Sequence, residues 1–305
     1  MKKLLIIDTF NFLHRAYHAL PTSLTDKDGN PTNALYGVTS MIISVFELVR
    51  PDYIIAALDG KKPTFRVEEF TGYKAHRKPM EDDLSSQIPK VFDILDAFGI
   101  KRVLVDGYEA DDVIGTVAKE YSHDLEVVIV SNDRDIWQVV GNNVTIMSPS
   151  TKRGAPTDWV GEKEVLSKMG FTPNLIPDYK GLRGDPSDNI PGVYGVGDVT
   201  AKKLIIEYGT LENIYENLAK VEPESLRTKL AECSEQAVMS KRLAKLILDV
   251  PMDIKLEECA YKEFNQMKVR DILERYNFKS LIKRLGFDPD KAKGPEINKD
   301  QMALF

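Results

Sequence analysis

Gly107-Tyr108-Glu109-Ala110-Asp111-Asp112-Val113-Ile114-Gly115 follows a short apolar run, Val103-Leu104-Val105, and leads into Val113, Val117, Ala118 and Tyr121 at helical spacing. The pattern predicts strand, turn, helix, with three carboxylates in the turn and first helical turn. Capping and the helix macrodipole account for one or two acids at such a place. Three within four residues repel one another unless a cation lies between them, so the stretch reads as part of a metal site.

The same arrangement recurs outward from this stretch. Leu4–Ile7 reads as a first strand ending at Asp8, and Leu35, Val38, Ile42, Val45, Phe46 and Val49 follow at helical spacing. Tyr53–Leu58 reads as a second strand ending at Asp59; Leu84, Ile88, Val91, Phe92, Leu95 and Phe98 form a helical stripe leading to the third strand at Val103. A fourth strand, Val127–Val130, ends in Ser131-Asn132-Asp133-Arg134-Asp135. Strands alternating with helices predict an α/β fold with a mostly parallel sheet and helices on both faces. Asp8, Asp59, the acids of 109–112, Asp133 and Asp135 then all lie beyond the carboxyl ends of strands, the edge where such sheets collect ligands. Turn chemistry explains any one of them. Four strands delivering carboxylates to one edge point to a polyacidic metal site.

Composition sets the bounds. The 305 residues suffice for one large α/β domain or two smaller ones, and 43% hydrophobic residues can fill a packed core. No apolar run approaches the roughly 18 residues of a membrane span. Met1–Asp8 is too short and too soon acidic for a signal peptide and reads as a buried strand. Cys233 and Cys259 form no ligand spacing and fit a reducing cytoplasm as free thiols; with only four scattered histidines, zinc chemistry is not expected. A net charge of −6 argues against nucleic acid, but setting aside the nine candidate ligand carboxylates moves the balance to +3.

Between Lys61 and Pro79, Lys61, Lys62, Arg66, Lys74, Arg77 and Lys78 stand against only Glu68 and Glu69, with Phe65, Phe70 and Tyr73 interleaved. Cations with aromatics suit single-stranded nucleic acid, although a solvated basic loop has the same composition. From about Phe171 the chain reads as helical. Gly192, Gly195 and Gly197 follow a proline-bearing turn rather than a strand, which disfavours a dinucleotide loop. A hairpin exposing backbone N–H groups at a helix start, with Lys202 and Lys203 one turn on, suits a backbone phosphate. Asp185 and Asp188 precede it. Leu226–Val250 and Val269–Leu285 read as amphipathic helices packing the second domain, and Phe287–Asp300 as a polar tail.

These residues resemble the 5′ nucleases, the family of the 5′–3′ exonuclease domain of bacterial DNA polymerase I and the flap endonucleases. The resemblance runs from about Leu4 to about Phe287 and rests on GYEADD (107–112), SNDRD (131–135) and GDPSDNIPGVYGVG (184–197), supported by TNALYG (32–37) and GYKAHR (72–77). It implies a PIN-like (Rossmann-like) catalytic α/β domain over 1–170 with a helical arch at about 61–98. A helix–three-turn–helix DNA-binding domain over 171–287 and a tail over 288–305 would follow. The positions matching the family's metal ligands are Asp8, Asp59, Glu109, Asp111, Asp112, Asp133, Asp135, Asp185 and Asp188, all acidic here. Thr9 replaces a common glycine and Arg134 a usual lysine.

Two Mg²⁺ or Mn²⁺ ions about 4 Å apart would relieve charge on the attacking and leaving oxygens of a phosphodiester, and hard ions explain ligands drawn from Asp and Glu alone. By resemblance, Asp8, Glu109, Asp111 and Asp133 lie nearest the catalytic ion, and Asp135, Asp185 and Asp188 around the second. Lys74 and Arg77 match the cations that contact the scissile phosphate, and Tyr73 a base-stacking aromatic. Arg15, Arg66, Gly192, Gly195, Gly197, Thr200, Lys202 and Lys203 fall at expected DNA contacts. The carbonyls of Leu182, Arg183, Pro191, Val193 and Val196 match a K⁺ site. Gln301, Leu304 and Phe305 resemble a sliding-clamp-binding peptide; alternatively, the tail is where a polymerase module would begin in a longer relative.

The resemblance implies a 5′–3′ exonuclease or flap endonuclease acting on 5′ flaps, nicks and RNA primers in replication and repair, a cytoplasmic, nucleoid-associated monomer without membrane contact. The rivals are a related nuclease acting mainly on RNA and a non-catalytic, clamp-associated DNA-binding scaffold.

Overall fold

The computed structural model describes residues 1–60, 62–149, 157–261 and 264–287. Lys61 and the proposed clamp peptide with Gln301, Leu304 and Phe305 lie outside the described residues.

Six strands form one sheet: β1 (Lys3–Asp8), β2 (Tyr53–Ala57), β3 (Lys101–Val103), β4 (Glu126–Val130), β5 (Val144–Ser148) and β6 (Asp158–Val160). Their order is β3-β2-β1-β4-β5-β6, parallel except for β6. β1 is central and buried from Leu4 to Asp8, as expected of a strand covered on both faces. In register, Asp8 pairs with Ala57 and Ile7 with Val130, so Asp8, Asp59 and Asp133 emerge at one level of the carboxyl edge. β5 and β6 extend the sheet beyond the four strands the sequence predicted.

The helices of the first part are α1 (Thr9–Ala19), α2 (Asn33–Val49), α3 (Phe65–Glu69), α4 (Asp82–Ser85), α5 (Ile88–Ala97), α6 (Ala110–Tyr121) and α7 (Glu162–Met169). Those that follow are α8 (Ile176–Arg183), α9 (Asp198–Tyr208), α10 (Leu211–Glu216), α11 (Glu224–Glu232), α12 (Ser234–Ala244), α13 (Gln266–Arg275) and α14 (Lys279–Arg284). Strand alternation sorts the core into two layers. Leu4, Ile6, Ile55, Val127 and Ile129 face α6 through Val113, Ile114 and Val117, in a cluster that continues into Leu182, Val193, Leu204 and Leu230. Leu5, Ile7, Ile54, Val128 and Val130 face α2 and α5 on the other side. The helical part therefore shares a core with one sheet face. Gly115 permits this: a Cβ there would come within 2.7 Å of Leu248 Cδ2, where the chain after α12 crosses α6.

Two segments depart from expectation. Val269, Ile272, Leu273, Tyr276 and Phe278 pack with α2 and α5 on the opposite face, not with the second domain. The chain is brought there by the Tyr53–Ala260 bridge and the Tyr261 N–H donated to Asp52 O at 2.8 Å. Leu84, Val91, Ile94, Leu95 and Phe98, assigned to the arch from the resemblance, bury their stripe in the same layer.

Candidate metal centre

Glu109 is the N-cap of α6, and Asp59 Oδ1 accepts the Ala110 N–H at 2.8 Å. The second strand's acid thus holds the helix N-terminus against the sheet edge. Asp8 caps α1 by accepting from Asn11 N and also accepts from Ser131 Oγ at 2.6 Å. Asp8, Asp59, Glu109, Asp111, Asp133 and Asp188 line one cleft of about 740 Å³, together with Arg15, Lys74 and Arg77. Burial, with Asp133 and Asp59 nearby, raises the Asp8 carboxyl to about 7. Burial and the charges of Asp8 and Asp133 push Asp111 well above the usual carboxylate range. Among the described residues, no ion pair reaches Asp8, Asp111 or Asp133. Such a concentration of oxygen anions fits a hard divalent cation.

Asp135, Asp185 and Asp188 each offer an oxygen within 4.8 Å of the others. Asp185 accepts the Ser187 N–H and hydroxyl on Oδ1. Burial would raise its carboxyl, but Lys180 and Ser187 outweigh this and hold it below the usual range. Asp135 is raised to about 6 by burial, against the opposing pull of Lys180. Lys180, on α8 and only 7% exposed, directs its ammonium to both Asp135 and Asp185.

Asp112 belongs to neither group. It is fully buried, and Arg66 engages both its oxygens at 2.7 and 2.8 Å while Ile247 N and Glu109 N also donate to it. Its carboxylate has no oxygen left for an ion, so it is not a metal ligand in this arrangement. Arg66 is corrected with it: 2% exposed, it donates to Leu243 O and Lys245 O as well, and cannot reach DNA. This pair ties α3 to α6 and to the segment after α12.

Tyr73 is also displaced from its expected role. Its ring is buried, and its hydroxyl donates to Glu109 Oε2 and Asp188 Oδ2 at 3.1 Å each, so it links carboxylates instead of presenting a face to a base. Lys74, at φ +53°, donates to Glu109 Oε2 at 3.0 Å, and Arg77 to Asp188 Oδ1 at 2.6 Å. Burial would lower the Lys74 ammonium, but Glu109 and Asp188 raise it above its ordinary value. The loop carrying these cations is bound to the 185–190 turn by Lys74 N to Asp188 O and Asn189 Nδ2 to Gly72 O.

The residues expected to form the hairpin divide. Gly192 is buried at φ +64°; its N–H goes to Ser240 Oγ at 3.0 Å, and a Cβ would lie 2.1 Å from Gly184 N. It packs against the Gly184 backbone and has no N–H free for phosphate. Gly195, at φ +77°, and Gly197, the N-cap of α9, are exposed. Lys203 is exposed, Thr200 half-buried, and Lys202 pairs with Asp198 at 3.2 Å. Among the carbonyls expected to hold K⁺, Leu182 O accepts from Val193 N at 2.7 Å and Val193 O from Val196 N at 3.0 Å. Arg15 lines the acidic cleft with a buried Nη1 that has no protein partner among the described residues. Sequence reasoning missed Lys180 altogether; its place on a short helix between Ile176 and Leu182, five residues before Asp185, was the available signal.

A mostly parallel PIN-like sheet with acids at its carboxyl edge, joined to a helical SAM-like unit, defines the class. Residues 3–170 match the model of a 5′-3′ exonuclease N-terminal resolvase-like domain, and residues 171–267 that of a 5′-3′ exonuclease C-terminal SAM fold. The chain belongs to the 5′-3′ exonuclease family. It is 37% identical to a 5′-3′ exonuclease of Aquifex aeolicus over 93% of this chain and 96% of that one. It is 44% identical to DNA polymerase I of Caldicellulosiruptor bescii over 93% of this chain but 33% of the relative. The chain thus spans about one third of the polymerases it matches. Its fold is similar to that of the bacteriophage T5 D15 flap endonuclease in complex with DNA and metal ions. That match has a TM-score of 0.67 and 22% identity and covers 90% of this chain and all of that one.

Proposed function

We propose that the chain is a divalent-metal-dependent 5′–3′ exonuclease and flap endonuclease that hydrolyses phosphodiesters near 5′ ends and flap junctions. The observation that supports it best is the convergence of two carboxylate groups, Asp8/Glu109/Asp111/Asp133 and Asp135/Asp185/Asp188, beside Lys74 and Arg77. Two Mg²⁺ or Mn²⁺ ions held by these groups would supply a nucleophile and stabilise charge on both reacting oxygens. Asp59 keeps Glu109 and Asp111 in place through the α6 N-terminus. Tyr73 orients Glu109 and Asp188 together, so the two groups respond as one. Lys74, Arg77 and the unpartnered Arg15 Nη1 would neutralise the scissile phosphate and its neighbours, since each lines the same cleft.

Gly195, Gly197, Thr200, Lys202 and Lys203 would dock a duplex backbone phosphate away from the cut, with K⁺ bound on free lone pairs of the hairpin carbonyls. In this reading residues 1–170 are catalytic, 171–267 position the duplex, and the last five residues contact a sliding clamp. The enzyme would act as a monomer in the cytoplasm, removing RNA primers and repair flaps, alone or beside a polymerase module.

A 5′-labelled flap duplex tests this reading. Cleavage near the junction with Mg²⁺, absent with EDTA and in Asp111→Asn/Asp133→Asn, is expected. Tight flap binding without cleavage in Mg²⁺ or Mn²⁺ would replace the enzyme by a DNA-binding scaffold.

A further inference from the structure

The two carboxylate groups differ in one respect that the family assignment does not address. In the first group only Glu109 has a protein cation, Lys74 at 3.0 Å with Arg66 at 3.7 Å, and no ion pair reaches Asp8, Asp111 or Asp133 among the described residues; Asp135 and Asp185 of the second group share one buried cation, the Lys180 ammonium. Lys180 reaches them from inside: Ile176 to Leu182 is buried throughout, so the side chain is not a surface cation that happens to swing in. Its stem is packed under the site, and its charge sits where an ion bound by Asp135, Asp185 and Asp188 would contact the first two. An ammonium and a divalent ion cannot share that position without strong repulsion in a poorly solvated site.

We propose that Lys180 is the resident counter-ion of the second metal subsite and competes with the metal for it, making the two subsites unequal. This rests on the two-metal reading above. The first subsite, whose Asp8, Asp111 and Asp133 carry no ion pair among the described residues and whose Lys74 touches Glu109 alone of that group, fills first. Filling the second requires the Lys180 ammonium to leave Asp135 and Asp185, and its short helical tether keeps it nearby to return when the ion departs. Arg77 and Tyr73 hold Asp188 on its other side, so Asp188 stays in position whichever cation is present. The consequence is a site whose second ion binds weakly until something else supplies ligands, such as the phosphate oxygens of a bound substrate. Without DNA the protein would then rest in a one-metal state with its acidic centre still partly neutralised. Lys180 is a positioning and affinity-setting residue in this scheme.

Mn²⁺ binding to the intact chain without DNA at pH 8, followed by the electron paramagnetic resonance signal of free Mn²⁺, tests the proposal. Wild type should show one tight and one weak site. Lys180→Met should tighten the second at least tenfold and leave the first within about twofold, as removal of a nearby competing charge requires. Unchanged or weaker second-site binding in Lys180→Met would overturn the proposal while leaving the two-metal reading intact. Binding of no Mn²⁺ by wild type would overturn both. If Lys180→Met fails to fold, wild type labelled with ¹³Cε-lysine decides: the Lys180 resonance, identified by its loss in Lys180→Arg, should shift with the second Mg²⁺ step and not the first. A resonance unmoved to saturation would refute the competition.

Discussion

Replacing Arg66 by Met separates two roles for this arginine. The guanidinium makes a bidentate pair with the fully buried Asp112 and donates to Leu243 O and Lys245 O. Its removal strands a buried carboxylate, a loss of about 3–5 kcal/mol, and two carbonyls at about 1 kcal/mol each. At this chain length the sum lowers the melting temperature by an amount on the order of 10 °C. Arg66→Met/Asp112→Asn should recover at least half of the loss, because the amide needs no counter-ion yet still accepts from Ile247 N. The assay is thermal melting of the three proteins, paired with flap-DNA affinity measured well below any melting point. Affinity should stay within about threefold of wild type, as a residue that touches no phosphate does not change the salt slope. A variant of undiminished stability that binds DNA tenfold more weakly, with one fewer ion released, would refute the burial argument and restore Arg66 to the DNA interface.

Tyr73→Phe removes the hydroxyl that joins Glu109 to Asp188 but keeps an aromatic face; cleavage should fall roughly tenfold at low Mg²⁺ with a stability change near 1 kcal/mol, whereas a stacking role would leave activity unchanged. Gly192→Ala should lower stability by several kcal/mol and abolish duplex binding in titrations, since its Cβ would strike the Gly184 backbone. The pH dependence of the metal-free protein follows from Asp8 and Asp135, whose carboxyls lie at about 7 and about 6 in the fold against an ordinary 3.8. Raised carboxyls favour the folded state fully below pH ~4, and that contribution is lost as pH rises through 6 to 7. Metal-free melting temperature should therefore fall between pH 5 and 8, with a shallower slope in Asp8→Asn. Saturating Mg²⁺ should reverse the trend, because the ion requires the ionised carboxylates. A metal-free profile that rises over this range would contradict the raised carboxyls.

Much of this was legible along the chain. Continuous apolar runs give buried parallel strands, and an acid that follows such a run must emerge at the sheet's carboxyl edge, so Asp8, Asp59, Glu109, Asp111 and Asp133 could be placed together by strand direction alone. The acids of 185–188 and the glycine-bearing turn at 192–197 are legible from local spacing. What escaped were pairings across long sequence separations: Arg66 with Asp112, 46 residues apart, Tyr73 with Asp188, 115 apart, and Lys180 with Asp135, 45 apart. Each pairing joins polar residues too far apart in sequence for local spacing to show the partner. The sequence therefore determined the fold class and the edge of the sheet where the carboxylates collect, because strand periodicity and turn chemistry act over a few residues. Only the tertiary structure decided that Asp112 and Arg66 are spent on each other, that Tyr73 binds carboxylates, and that the second subsite carries its own lysine. Burial makes a partner obligatory for each of these groups, and the packing of distant segments chooses which partner it is.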